Sequence, residues 1–392
     1  MSIDLSRVTG ISDSRGVITE IKDSLGRVIW SAGGKPAKLL VSKVTATTVA
    51  GETEYPSESF ILLNIYPKKN GTVKVSYGDL TKTVTDTSGV DEPNAIPVFF
   101  GTFNGVSDSV ATPDSGELKI SGAYRGYGRG SYTSKLNNKT SISYCACIKG
   151  VNDFGEPVVI TDEAFRTISE FAPTKLPDSL TEIGNMAFSG TSLSIAALPS
   201  GLKIIGANAF MGCTAFTITD TTLPDSLEVI GTDAFYKCAD IVLTSLPAKL
   251  KEIGNNVFRD RPNVNVRNLP SSLETVGAEA FATTRTSDAE IAELKMYNTV
   301  ITFPSTIKSI GSGVFNTRKE TLIGGARYYS YIAGVRMLAT TPPTIETSAF
   351  GDRGWTVAPT TNNVITITVP KGCGEAYKAA WTGYKNYIVE ES

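Results

Sequence analysis

The stretch LPDSLEVIGTDAFYKC, residues 223–238, gathers a proline, a glycine, a cysteine and several carboxylates. Taken alone, those are ingredients of a reactive site. The same words recur along the chain. Leu-Pro begins at 176, 198, 223, 246 and 269, and Phe303-Pro304 takes the place once more. A Leu or Ile follows at Leu180, Leu202, Leu227, Leu250, Leu273 and Ile307. A glycine behind Ile or Val follows at Gly184, Gly206, Gly231, Gly254, Gly277 and Gly311. An aromatic closes each unit at Phe188, Phe210, Phe235, Phe258, Phe281 and Phe315, with half-units ending at Phe165 and Phe350. Successive Leu-Pro positions lie 22, 25, 23, 23 and 34 residues apart. Fixed apolar positions at such a period mark stacked coils, because one coil cannot bury its apolar side alone.

Each letter then has a structural reading. Leu, Ile and Phe point into a continuous core. Proline ends a strand, since it has no N–H to give to a ladder, and the glycine after Ile is expected to turn a tight corner. Cys213 and Cys238 occupy the same slot in neighbouring coils, where a thiol serves as a small buried group. A disulfide between them is geometrically conceivable but not required.

The pattern LPxSLxxIGxxAFxxC resembles the BspA-like leucine-rich repeats of bacterial, protist and phage surface proteins. The resemblance runs from residue 161 to about 390 and takes in the tail LATTPPTIETSAF, ITITVPKGCGEAYKAAW and YKNYIVEE. It implies a solenoid over 152–392, with insertions at 282–300 and 316–340 and a C-terminal cap. Such repeats serve adhesion, recognition and scaffolding alike, so the fold does not name a function.

Composition narrows the choices. A chain of 392 residues is expected to form two or three domains. It contains no histidine, which removes the commonest general base near neutral pH and the commonest zinc ligand. Nucleophile–histidine pairs are thereby impossible. The 5 cysteines are odd in number and sparse, so they do not form a disulfide framework. Cys145 and Cys147 share one face of a strand and read as buried thiols. No catalytic, metal or cofactor site is expected, and the chain does not read as an enzyme. The net charge of −2 gives no field for nucleic acid, and no apolar run is long enough for membrane insertion. The N-terminus lacks the basic start and apolar core of a secretory signal.

The preceding region is β-rich, so the whole chain is expected to be mainly β. Asp13-Ser14-Arg15-Gly16-Val17-Ile18 is echoed by Asp23-Ser24-Leu25-Gly26-Arg27-Val28-Ile29 and closes on Trp30. Turn chemistry followed by β-formers predicts a short β-ribbon within residues 1–32. Six or seven strand signals over 38–151, including the alternating Thr72–Tyr77 and its hairpin partner Thr81–Val84, predict an immunoglobulin-like β-sandwich. The run AYRGYGRGSYTS, 123–134, is read as a flexible glycine-rich loop rather than an RNA-binding element. VTGISDSRGVITEIKDSLGRVIWSA resembles N-terminal segments of tail and virion-associated proteins of gut-bacterial phages. TVKVSYGDLTKTVTD with VFFGTFNGVSDSV is similar to a β-domain found ahead of BspA-like repeats.

Those resemblances imply a phage virion structural protein of fibre or receptor-binding type, located in the virion. It would be anchored to other virion proteins through Val17, Ile18, Val28, Ile29 and Trp30, and homo-oligomeric. The solenoid would contact bacterial surface polysaccharide or protein. A bacterial cell-surface adhesin is the alternative, and a capsule depolymerase a distant one. Binding is expected where the repeats diverge. After Phe281, TSDAEIAELKMY suggests a short helix. After Phe315 come Arg327, Tyr328, Tyr329 and Tyr331, which with Trp355 form either an aromatic contact platform or a plug for the end of the core. Thr217, Thr219, Thr244, Asn265 and Arg267 form a second candidate face.

Overall fold

A computed structural model describes residues 20–22, 28–31, 36–42, 44–45 and, apart from short stretches, 59–284, 299–350 and 365–392. The chain is mainly β. It divides into two compact units, Met1–Phe171 with Leu176–Leu180, and Ala172–Lys175 with Thr181–Ser392.

The N-terminal unit begins with β1 (Glu20–Lys22), β2 (Val28–Ser31), β3 (Ala37–Ser42), β4 (Val44–Thr45) and β5 (Ser59–Pro67). β6 (Thr72–Tyr77), β7 (Leu80–Thr85), β8 (Ile96–Phe103), β9 (Val106–Ser107) and β10 (Ser115–Gly122) follow. β11 (Tyr124–Arg129), β12 (Ser131–Leu136), β13 (Lys139–Tyr144), β14 (Ile148–Asp153) and β15 (Val159–Ile160) complete it. One antiparallel sheet runs β14-β3-β10-β6-β7. A second antiparallel set runs β11-β5-β8-β9, with β4 on β5. Alternation decides what each sheet buries: Val73, Val75 and Tyr77 of β6 are enclosed while Thr72 and Lys74 are exposed. The two sets meet where Tyr77 lies edge-on to Phe100, ring centroids 5.7 Å apart. Burying such rings contributes about 1.5–3 kcal/mol each. Of the expected ribbon, β1 and β2 pair antiparallel, with Ile21 opposite Trp30.

The run 123–134 is not a flexible loop. Residues 124–129 form β11, which pairs antiparallel with β5 on one side and parallel with β15, in the first repeat, on the other. Its glycines are there because another backbone comes close. A Cβ on Gly126 would meet the Val159 carbonyl oxygen at 2.5 Å, and one on Gly128 would collide with the Thr161 hydroxyl. The tyrosines are core: Tyr127 is fully buried, stands 6.5 Å from the Phe165 ring, and donates its hydroxyl to the Phe154 carbonyl at 2.9 Å. Arg129 donates Nη2 to the Arg166 carbonyl at 2.8 Å. Glycine spacing that reads as mobility is room for a neighbouring coil.

The second unit contains β16 (Glu182–Ile183), β17 (Ile204–Ile205), β18 (Val229–Ile230), β19 (Glu252–Ile253) and β20 (Thr275–Val276). Then come β21 (Val300–Phe303), β22 (Ser309–Ile310), β23 (Asn316–Leu322), β24 (Gly325–Ser330), β25 (Gly334–Met337) and β26 (Thr344–Ile345). β27 (Thr366–Val369), α1 (Gly374–Ala380), a 3-10 turn at Thr382–Tyr387 and β28 (Ile388–Glu390) end the chain. The repeated Ile-Gly words supply the two-residue strands, which pair in parallel in the order β16-β17-β18-β19-β20-β22-β26. A further set of backbone bonds joins the coils around the phenylalanines, as in Phe188 N–H to Ala209 O (2.9 Å) and Phe210 N–H to Ala234 O (3.0 Å). Between them the rings of Phe188, Phe210, Phe235, Phe258, Phe281 and Phe315 stack in series, centroids 5.4–6.1 Å apart.

Residues 223–238 form one coil of this stack. Leu227 N–H bonds the Pro224 carbonyl at 3.0 Å, closing a turn. Ser226 Oγ reaches back to the carbonyls of Ser200 (2.7 Å) and Leu202 (2.6 Å) in the coil before, and Ser272 and Thr306 repeat the device. The expected glycine corner is a spacing device instead. Gly231 does not take positive φ, but a Cβ there would meet Ala207 N at 2.5 Å. The left-handed positions lie on either side of the phenylalanine. Asp233 (φ 55°) and Lys237 (φ 57°) hold them here, as Asn208 (56°) and Gly212 (74°) do one coil earlier. Asn, Asp and Gly bear that conformation most readily. The cysteines are more than filler: Cys213 Sγ donates to the Phe188 carbonyl at 2.9 Å and Cys238 Sγ to that of Phe210 at 3.0 Å. Arg261 Nη2 does the same for Phe235 at 2.9 Å. Cys213 and Cys238 are free thiols.

Candidate recognition surfaces

The end of the repeat core is closed by the tail. Tyr377, Trp381 and Tyr384 of α1 and the turn after it are all buried. Trp381 and Tyr384 pack on Phe350 with centroids 5.9 and 5.6 Å away. Each polar tip is satisfied: Tyr377 Oη donates to Ala339 O (2.7 Å), Trp381 Nε1 donates to Pro343 O (2.9 Å), and Tyr384 Oη accepts from Phe350 N–H (3.1 Å). Burial pushes the Tyr377 hydroxyl pKa upward. Glu390 fastens β28 to the loop before α1, its carboxylate accepting the N–H groups of Gly372 (3.1 Å) and Gly374 (2.7 Å). Those backbone bonds hold Glu390 below the usual carboxylate range.

The plug assigned by one reading to the tyrosines after Phe315 is therefore supplied by other aromatics. Residues 316–330 instead form the hairpin β23–β24, a two-stranded sheet of its own. Its register sets Arg318 opposite Tyr328, Thr317 opposite Tyr329 and Glu320 opposite Arg327, with an irregularity between Arg318 and Glu320. Three of the expected site residues, Arg327, Tyr328 and Tyr329, thus share one strand of one hairpin. Tyr331 and Trp355 lie outside the described residues, as does the segment 285–298. The hairpin is rooted by Asn316, which is 8% exposed. Its carbonyl accepts Thr283 N–H at 2.8 Å and its N–H reaches Gly313 O at 3.0 Å.

A separate parallel sheet runs β21-β25-β27-β28. It buries Ile301, Phe303, Val335, Met337, Ile367 and Val369, and on its outer side Arg336 Nε bonds Glu391 Oε1 at 2.6 Å. Of the second expected face, Thr244 and Asn265 come side by side through the Leu243–Val264 pairing. Thr244 and Arg267 are exposed, Thr217 and Asn265 half-buried, and Thr219 lies outside the described residues. For the anchor, Val28, Ile29 and Trp30 fall on β2, and Val17 and Ile18 lie outside the described residues. Cys145 and Cys147 also lie outside them.

One surface feature escaped the reading of single motifs. After Thr181 in the first repeat, the residue following the second apolar position is Lys203, Glu228, Lys251, Glu274 and Lys308 in turn, an alternating row along the stack. Lys251 Nζ meets Glu228 Oε2 at 2.6 Å and Lys308 Nζ meets Glu274 Oε2 at 2.5 Å. The Lys251 hydrogen bond lowers the Glu228 pKa, and Glu228 raises that of Lys251. Aligning the repeats letter by letter exposes this row. These two pairs bridge neighbouring coils whose register the backbone bonds already set and, being solvated, are screened by salt. Among the described residues no three His, Cys, Asp or Glu side chains are grouped to hold a metal.

A family model described as BspA type leucine rich repeat region matches residues 158–288 in 6 copies. The chain thus carries a BspA-type leucine-rich repeat region, matched over a shorter span than the resemblance from 161 to about 390 implied. Among solved structures, a leucine-rich repeat protein from Bacteroides ovatus ATCC 8483 is similar at 16% identity, covering 67% of this chain and 74% of that one, with a TM-score of 0.32. Among curated proteins there is no match.

Proposed function

We propose that the chain is a non-enzymatic surface-recognition protein of the adhesin type. In this reading an immunoglobulin-like β-sandwich precedes a leucine-rich-repeat solenoid, and the repeats act as a stiff scaffold. The observation that carries the proposal is the hairpin 316–330. It interrupts the repeats with a self-paired element rich in tyrosine and arginine, although the core end has its own plug in Tyr377, Trp381 and Tyr384. Insertions between solenoid repeats commonly shape a binding face, and Tyr and Arg are the residues most enriched at binding hot spots. The BspA-type repeat region supports a cell-surface adhesin more directly than a virion part. The absence of histidine supports a binding rather than a catalytic role.

The test is adsorption of the labelled chain to intact bacterial and host cells. A variant in which a short turn replaces 317–329 serves as the comparison. Saturable adsorption that falls in the variant, with an unchanged melting temperature, is expected. Equal adsorption by both proteins refutes the assignment to the hairpin.

The virion reading rests on the N-terminal sequence and on the ribbon β1–β2, which forms a two-stranded sheet of its own. A ribbon of that size is marginal alone and gains stability by docking on a neighbouring protein or another copy. Antibody labelling of purified phage particles and of bacterial envelopes separates the two locations.

A further inference from the structure

We propose that the open edge of β7 pairs with the same strand of a second copy of this chain, joining two five-stranded sheets across a two-fold axis.

Three observations carry it. First, among the described residues β7 is the long, unbroken edge of a sheet of more than two strands. β14, at the other end of its sheet, carries two register irregularities against β3. The outlying strands β4, β9 and β26 are two residues long and β28 three, and β21 is flanked by Asn268 of the preceding coil. Short strands and bulges are devices that blunt an edge otherwise ready to pair. β7 has neither, nor a proline: its six residues pair with β6 in continuous register. Its one lysine does not guard the edge either. Lys82 Nζ lies 2.6 Å from Asp108 Oδ1 and 4.0 Å over the Phe99 ring, so its charge is already engaged.

Second, the backbone of β7 is set for a partner. Gly78 (φ 57°) and Asp79 make a two-residue turn that closes on the Tyr77–Leu80 pair. Leu80, Lys82 and Val84 therefore direct their N–H and C=O groups to β6, and Thr81, Thr83 and Thr85 direct theirs away from it. The side chains of these three threonines are exposed. Thr85 and Thr81 share hydroxyl hydrogen bonds with Thr72 (3.0 Å) and Ser76 (2.9 Å) of β6, a ladder that further threonines can extend.

Third, the strand fits itself. Antiparallel pairing centred on Thr83 sets Thr83 against Thr83 and Thr81 against Thr85, with Lys82 against Val84 on the other face. Threonine pairs are favourable cross-strand neighbours, and up to about six backbone hydrogen bonds form. Moving the centre to Lys82 brings two lysines face to face, which opposes that register. Larger shifts run the strand past Leu80 or Thr85. An unrelated strand could use the same backbone groups, but the self-fit and its two-fold symmetry favour a second copy. A pair carries every recognition element of the chain twice, which strengthens attachment to repeated ligands without a new contact. That consequence rests on the recognition reading; the pairing does not.

The experiment is sedimentation equilibrium of the full chain over a wide range of concentration. Wild type is expected to pass from monomer to dimer as concentration rises. Thr83→Pro removes an N–H that β6 does not use, and Thr83→Lys sets two cations against each other across the axis. Each should raise the dissociation constant at least roughly tenfold. Thr83→Glu should do the same by itself, yet an equimolar mixture of Thr83→Lys and Thr83→Glu chains should form a mixed dimer, because position 83 meets itself in this register. Melting curves of the two charge variants, altered at an exposed position, check that the fold is intact. A wild type that stays monomeric throughout overturns the proposal. So does a dimer that survives both Thr83→Pro and Thr83→Lys, or a mixture of the charge variants that fails to pair. Sedimentation reads pairing alone, so each of these results leaves the recognition role to the adsorption test.

Discussion

Gly231→Ala tests how the coils are held together. Gly231 has no need of a left-handed backbone. If space allowed, an alanine would stabilise the protein by about 0.4–1 kcal/mol through a less flexible unfolded chain. The structure says the opposite. The added Cβ would stand 2.5 Å from Ala207 N, 2.7 Å from Gly206 C and 2.9 Å from Ala207 Cα, all backbone atoms of the preceding coil. No side chain can swing aside, so the two coils must part by close to an ångström at that point. The separation strains the bond from Gly231 N–H to Ile205 O (2.8 Å) and its neighbour from Val229 N–H to Lys203 O (3.1 Å). Overpacking of this kind costs about 1–3 kcal/mol, and each weakened buried hydrogen bond about 0.5–1.5 kcal/mol. A net loss of about 2–5 kcal/mol follows. Urea unfolding followed by circular dichroism and Phe/Tyr absorbance measures it. The control is Asp233, where φ is 55°. Asp233→Gly should stay within about 1 kcal/mol of wild type, while Asp233→Val should cost about 1–3 kcal/mol in a conformation that β-branched residues avoid. A Gly231→Ala protein as stable as wild type, or more so, refutes the close-approach argument.

Phe235 is fully buried between the rings of Phe210 and Phe258, so Phe235→Ala should lose about 3–5 kcal/mol in the same unfolding assay. Burial, with Cys213 beside it, pushes the Cys238 thiol up to about 12. Alkylation of the native chain at mildly alkaline pH, mapped by mass spectrometry, should therefore spare Cys213 and Cys238 and label Cys373, which is only partly buried. The backbone N–H groups of Gly372 and Gly374 hold the folded pKa of Glu390 below the ordinary glutamate value. Its contribution is present above that value and disappears as pH falls through the folded pKa. Glu390→Gln should thus flatten the acid limb of the melting-temperature profile, and an unchanged limb would show that the Gly372–Gly374 clamp contributes nothing.

The repeats were legible because one physical demand recurs. Phe210, Phe235 and Phe258 must face the same core, so they recur at the same place in every coil. What a single copy of the motif hid was the reason behind some of its letters. A glycine serves equally for a left-handed turn and for a close approach, and only the neighbouring coil tells Gly231 from Gly212. Cys213, Cys238 and Arg261 look unrelated in sequence, yet all donate to the phenylalanine carbonyl of the previous coil. In 123–134 the error ran the other way. Gly126 and Gly128 suggested freedom where they admit Val159 and Thr161, and Tyr127 suggested a surface ring where it packs on Phe165. Contacts between residues far apart in the chain decide such cases, and composition cannot reveal them.

The same reasoning separates the two tyrosine groups of the C-terminal half. Sequence alone suggests the tyrosines after Phe315 as a plug for the last coil and reads the tail that holds Tyr377 and Tyr384 only as a C-terminal cap. Packing decides between them. A plug must lie against the last core ring and find partners for its hydroxyls, because a buried phenol without a partner costs about 1–3 kcal/mol. Tyr377 and Tyr384 meet both demands, through Trp381, Phe350 and the Ala339 carbonyl. The core end is thereby closed by the tail, while the hairpin beyond Asn316, β23 with β24, pairs with itself as a separate two-stranded sheet. Ordering its residues costs about 1–2 kcal/mol each in backbone entropy. A two-stranded hairpin recovers little of that cost by itself. That imbalance is the ground on which the hairpin, rather than the repeat core, is proposed as the recognition element.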